Sequence, residues 1–370
     1  MIRSCTTLRW LAASLCASVM LLACGGGDDD DNHHHGMSYL ATSLVTDVND
    51  SSNPYSVSNV DPLLVNSWGI AFNPQGFVWV ANAGTSTSTL YDGNGVPQSL
   101  IVDIPPGSAG SASPTGIVFN GSSDFVVSQG GASGASAFIF VGEAGTVSGW
   151  SPSVNLNAAV KVADRGAAGA IYKGLALSGS GGGNFLYATD FHNGTVDVFD
   201  ASFNLVAAPG GFIDPTLPAG YAPFGIQAIG DQIYVTYALQ DAQGEDDVAG
   251  AGLGLVNVFD AAGQFVKRLI DVGGPLNAPW GIALAPSNFG TFSNALLVGN
   301  FGDGKIHAFD ATTGALLGTL NKPDGTPIVI DGLWGIAFGN GINAQPTNTL
   351  FFAGGPADET HGVYGRIDVH

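Results

Sequence analysis

The sequence predicts an all-β domain: a six-bladed β-propeller closed by its own N-terminal strand. Three observations predict it. A short phrase, an aromatic or small residue followed by Gly and an apolar run, recurs six times. The strand that follows each phrase is brief and almost wholly apolar. The last repeat lacks one strand, and a spare strand stands ahead of the first.

The phrase reads Trp68-Gly69-Ile70-Ala71-Phe72, Thr115-Gly116-Ile117-Val118-Phe119 and Lys173-Gly174-Leu175-Ala176-Leu177. It returns as Phe224-Gly225-Ile226, Trp280-Gly281-Ile282-Ala283-Leu284 and Trp334-Gly335-Ile336-Ala337-Phe338. Its glycines are 47, 58, 51, 56 and 54 residues apart, close to the length of a propeller blade, ~40–50 residues. Each first strand follows its Gly. Second strands are expected at Phe77–Ala81, Phe125–Ser128, Phe185–Thr189, Gln232–Tyr237, Ala295–Gly299 and Leu350–Ala353. Their lack of polar alternation means burial on both faces, as in a blade held between two neighbours. Third strands end in Phe-Asp at Val196–Asp200, Val256–Asp260 and Ile306–Asp310, where Asp opens a turn. Fourth strands follow at Ser99–Ile104, Phe265–Asp271 and Leu316–Leu320.

The sixth repeat runs out after Val363–Val369, one strand short. The spare stretch Tyr39–Val48 is expected to complete it, which removes an open sheet edge. Composition agrees with many short strands and tight turns: 55 of 370 residues are Gly and only 11% are charged.

Ahead of the domain stands a targeting segment, residues 1–23. Arg3 and Arg9 are basic, and the uncharged run Trp10–Leu22 is shorter than the ~20 residues of a membrane span. Leu21-Leu22-Ala23-Cys24 resembles the bacterial lipobox, which implies cleavage before Cys24 and diacylation of its thiol. Residues 24–37, with GGGDDDDNHHHG at their centre, are expected to form a flexible acidic tether, and residues 38–370 the propeller. Gly25 stands where inner-membrane retention signals place Asp. By resemblance this favours a cell-envelope location at the outer membrane of a Gram-negative cell. Cys5 and Cys16 lie in the removed segment, so the domain has no cysteine and no disulfide. Without Arg3 and Arg9 the chain carries 8 basic and 30 acidic residues, a net −22. That field repels phosphate backbones and excludes nucleic acid as a partner. The expected partners are the membrane, through the anchor at Cys24, and a protein or small-molecule ligand.

The start Pro279–Ala283 and the stretch LYATDFHNGTVDVFD (Leu186–Asp200) resemble NHL-type repeats. The segment QDAQGEDDVAGAGLGLVNVFD and the ending GLWGIAFGNG…AGGPADETHG resemble a family of bacterial secreted, lipoprotein-like NHL propellers. The resemblance covers Tyr39–His370 and implies the fold. It implies no activity.

In a propeller, the loops joining second and third strands share a face with the loops entering each innermost strand. Three uses of that face stay open. In the first, Asp241, Glu245, Asp246 and Asp247, with Asp358 or Glu359, ligate a hard cation such as Ca²⁺, against a merely solvated acidic loop. In the second, Asp190 with His192, or Glu359 with His361, forms a general acid–base pair. In the third, Trp68, Phe224, Trp280 and Trp334, with the strand-end Asn82 and Asn300, line the channel mouth and hold an apolar or sugar ligand. The competing role for these aromatics is packing between blades. Six-bladed relatives include calcium-dependent lactonases, whose strand-end metal ligand Asp190 resembles. Their Asn-Gly before an inner strand is Trp-Gly, Phe-Gly, Thr-Gly or Lys-Gly here. No GxSxG motif occurs, and Gly179–Gly183 lacks a P-loop Lys and reads as a turn. The preferred reading is a membrane-anchored binding module, with a metal-dependent hydrolase or lyase as the alternative.

Overall fold

A computed structural model describes residues 38–370 except Ser56, Ser58, Ser180 and Gly181. The leader, Cys24 and the tether therefore lie outside the described residues, as does part of the Gly179–Gly183 turn.

Six sheets form the blades, antiparallel except where the short strand Asn59–Val60 runs parallel to Tyr39–Thr46. Their innermost strands are Ser67–Phe72, Pro114–Phe119, Tyr172–Ser178, Tyr221–Ile229, Pro279–Leu284 and Leu333–Phe338. Each carries the repeated phrase. The ring closes as expected: Tyr39–Thr46 pairs antiparallel with Val363–Val369, from Tyr39↔Val369 to Thr46↔Val363 with one bulge between Ser43 and Val45. The two ends of the domain are thus held by one ladder, which leaves no unsatisfied edge at the junction.

Six apolar clusters each join one pair of neighbouring blades. Trp79, Phe138 and Trp150 pack between blades 1 and 2, and Leu175, Leu186 and Val141 between 2 and 3. Tyr187 and Ile233 meet between 3 and 4, Val258 and Leu296 between 4 and 5, and Leu297 and Phe352 between 5 and 6. Val80 and Tyr364 join blade 1 to blade 6. This explains the apolar second strands, which face a neighbour on both sides.

The repeated Gly has a steric cause. A Cβ on Gly225, Gly281 or Gly335 would lie under 3.0 Å from the carbonyl oxygen of Trp280, Trp334 or Trp68, each in the next blade round. Neighbouring inner strands approach backbone to backbone at these positions, and a side chain would force them apart.

Blade 2 departs from expectation. Phe125–Ser128 is not its second strand. Val126–Gln129 pairs instead with Ala132–Ala135 in a separate hairpin. The second strand is Phe138–Gly142, paired with both Pro114–Phe119 and Thr146–Trp150. Counting from Gly116 reached the first apolar run; the second, FIFVG, is the one buried on both faces. The turn that shares the loop face is therefore Glu143-Ala144-Gly145. Among the described residues no helix is long and apolar enough to cross a membrane.

Candidate functional site

Two sets of equivalent positions meet at the loop-side mouth of the channel. The first precedes each repeated Gly: Trp68, Thr115, Lys173, Phe224, Trp280 and Trp334. The second follows the second strand. In five blades the backbone N–H there donates to the carbonyl two residues before the first set: Ala83 to Asn66, Glu143 to Ser113, Phe191 to Ile171, Phe301 to Ala278 and Gly355 to Gly332. Because the same ladder positions recur, Trp68, Phe224, Trp280 and Trp334 of the first set and Ala83, Phe191 and Phe301 of the second pack into one cluster.

The aromatics fill the mouth. Trp334 stacks on Trp68 at 3.7 Å and on Phe301 at 3.9 Å between centroids, with Phe224 edge-on at 5.8 Å. Trp280 lies edge-on to Trp334 at 6.0 Å and donates its indole N–H to the Lys173 carbonyl at 3.0 Å. Trp68, Phe224 and Trp334 are buried, so these rings act mainly as a plug that spaces the blades. Asn82 and Asn300 are also buried. Asn82 donates to Thr87 and Thr89, and Asn300 to the Pro275 carbonyl and Asp303. They tie turns together beside the plug. The Trp68 indole N–H is buried without a hydrogen-bond partner.

Lys173 breaks the aromatic pattern. Its side chain is 3% exposed, and its ammonium lies 5.4 Å over the Trp68 ring and 6.0 Å from that of Phe191. It donates to Glu143 at 2.5 Å and Asp246 at 3.2 Å. Burial alone would lower its pKa, but the Glu143 and Asp246 carboxylates outweigh that and raise it. Lys173 is therefore a fixed cation rather than a free amine nucleophile.

Two further carboxyls belong to this cluster. Glu359 is pushed up to about 7, first by burial and then by Glu143, with Lys173 opposing. Asp247 is pushed up to about 6 by burial, again against Lys173. One Asp247 oxygen is buried without a partner. Glu359 is held by Asn66, whose amide donates to it at 2.9 Å while accepting the Trp334 indole N–H at 3.2 Å. Ala357, Asp358 and Glu359 have φ of 55°, 52° and 62°. Three successive non-glycine residues in the left-handed region cost roughly 1–2 kcal/mol each. Hydrogen bonds from Ala357 N to Asp331 and from Glu359 N to Gly355 O offset part of that.

The remaining expected residues fall elsewhere. Asp190 accepts from the backbone of Ile171 and from Asn193, and burial raises its pKa. His192 is exposed and meets the Gly244 carbonyl at 3.3 Å, so it is not paired with Asp190. His361 pairs with Asp47 at 2.7 Å rather than with Glu359. Both expected pairs fail to meet because residues two apart on a turn diverge, whereas on a strand they would share a face. Asp241 is spent on its own loop, accepting from the backbone of Glu245 and Asp246. Glu245 and Asp358 are exposed. Among the described residues no group of three or more His, Cys, Asp or Glu is arranged to hold a metal ion.

Sequence reasoning missed three members: Glu143, Lys173 as a charge, and Asn66. Lys173 was visible as the one charged residue before a repeated Gly. Glu143 was hidden by the misplaced second strand. Asn66 and Glu359 are 293 residues apart, and only ring closure unites them.

An uncharacterized protein of Acanthamoeba polyphaga mimivirus is 35% identical over 327 residues, spanning 86% of this chain and 78% of its own length. A second from the same virus is 32% identical over 319 residues, spanning 84% and 82%. These relatives are viral, and they lend no support to a bacterial secreted family. No protein-family profile matches the sequence. Among solved structures, a glucose dehydrogenase aligns with a TM-score of 0.50 at 12% identity, covering 88% of this chain and 98% of its own. A protein of unknown function from Bacteroides thetaiotaomicron aligns with a TM-score of 0.50 at 11% identity, covering 90% and 76%. Virginiamycin B lyase from Staphylococcus aureus aligns at 0.46 and 14% identity, covering 90% and 100%. At these identities the likeness is one of propeller fold.

Proposed function

The chain belongs to the same protein family as these mimivirus proteins, and on that premise we propose that it is a binding propeller whose loop-side mouth holds a small cationic group. One observation carries the reading: Glu143 and Asp246, from two blades, pair with a single buried ammonium whose charge also reaches Asp247 and Glu359, the latter from a third blade. With Lys173 alone to offset them among the described residues, these carboxyls leave an excess of negative charge at the mouth. Two of them relieve it by holding protons to higher pH than usual, Glu359 to about 7 and Asp247 to about 6. A guest ammonium would replace those protons. The buried and unpartnered Asp247 oxygen leaves an acceptor unused there.

The test is calorimetric titration of 1,5-diaminopentane into the purified protein, with CaCl₂ in a parallel arm. The reading expects saturable diamine uptake, weakened about tenfold in Asp246→Asn. Uptake of calcium alone would transfer the site to a hard cation, and uptake of neither would end the proposal.

A second reading rests on Glu359. A carboxyl that titrates near 7 is suited to donate and recover a proton, which favours a hydrolase or lyase of lactone or ester substrates. Turnover on a lactone and ester panel, lost in Glu359→Gln, would support it. Anchoring of the protein in the cell envelope rests on Leu21–Cys24 alone. Labelled palmitate incorporated by the chain and absent from Cys24→Ala is the result that anchoring requires.

A further inference from the structure

The opposite mouth of the channel differs in character. The innermost strands end there, and three voids of about 40, 270 and 190 Å³ share Gln227 and Ile336 in their walls. The largest is walled by Phe72, Phe119, Leu177, Ala337 and their apolar neighbours. Gln227 is the one polar side chain in all three linings, and no lining residue is charged. The smallest void reaches Trp280, so the bowl ends beneath the aromatic plug.

We propose that this bowl binds a small neutral molecule with an apolar body and one hydrogen-bonding group, such as an aromatic or short-chain alcohol, with Gln227 contacting the polar group. Its walls are inner strands held on both sides by neighbouring blades, so the cavity is formed before any guest arrives. Gln227 is exposed, and its amide reaches the adjacent Ala228 carbonyl only at 3.4 Å. The Gln227 side chain can offer both a donor and an acceptor. The chain's net charge of −20 disfavours anions. A volume of about 270 Å³ admits one or two rings and lies at the small end of ligand pockets. This site is independent of the acidic mouth.

The test is titration of 2-naphthol into the purified protein in detergent-free buffer, with 2-naphthalenesulfonate as the charged control. The expected result is saturable one-to-one uptake of 2-naphthol and none of the sulfonate. Gln227→Leu weakens it about five- to tenfold, the loss of one neutral hydrogen bond. Ala337→Trp fills the bowl and abolishes uptake, and Glu359→Gln leaves it unchanged. Should Ala337→Trp fail to fold, Gln227→Leu, at an exposed position, decides alone. No saturable uptake, unchanged affinity in Gln227→Leu or in a folded Ala337→Trp, or loss in Glu359→Gln would each overturn the proposal.

Discussion

The Lys173 ammonium meets the Glu143 carboxylate at 2.5 Å, across the boundary between blades 3 and 2. Lys173 is almost fully enclosed, while Glu143 keeps 32% of its side-chain surface exposed. The pair is therefore asymmetric: the cation depends on the anion more than the reverse.

That asymmetry sets the first expectation. Glu143→Gln leaves the buried ammonium with one direct ion-pair partner, the 77% exposed Asp246. It should cost about 2–3 kcal/mol, below the usual range for a broken buried pair because Glu143 is partly solvated. Lys173→Met should cost less, and the double variant should recover most of the Glu143→Gln loss. Urea denaturation of the four proteins as a double-mutant cycle measures this.

Glu359 gives a pH dependence. Its folded-state pKa, about 7, lies above the ordinary 4.5, so the folded protein binds more protons between those values. Stability contributed by this group is full below about 4.5 and falls as pH rises to about 7. Glu359→Gln keeps an acceptor for Asn66 and removes the penalty. The variant should gain on the wild type across that window, by up to about 3 kcal/mol, and run parallel above it. Denaturation midpoints from pH 4 to 8 report the difference.

The ring glycines allow a contrast. Gly335→Ala places a Cβ against the Trp68 carbonyl and should destabilise by about 2–4 kcal/mol. Gly183→Ala, whose Cβ would meet Phe185 at an ordinary 3.6 Å, should change stability by less than about 1 kcal/mol. Thermal unfolding of the two variants separates close approach from glycine content.

Much of this architecture was legible. Val363–Val369 lacked an outer partner and Tyr39–Val48 lacked an inner one, and sheet closure leaves such segments one solution. Blade 2 was harder, because an inserted hairpin put two apolar runs after Gly116 and spacing selected the wrong one. The site was legible only in part. Asp246, Asp247 and Glu359 stood out as acidic residues on loops, but their role depends on Lys173 and Glu143, which long-range packing brings to them. The histidines drew attention through pairing in sequence that turn geometry does not preserve.

The most direct measurement is a proton count. Titrating 1,5-diaminopentane at pH 6.5 in two buffers of different ionisation enthalpy gives the number of protons released on binding. With Glu359 near 7 and Asp247 near 6, on the order of one proton should leave per guest, falling to near zero in the Glu359→Gln/Asp247→Asn variant. Diamine uptake with no proton released, or the same release from that variant, would contradict a cation-binding mouth built on these two carboxyls.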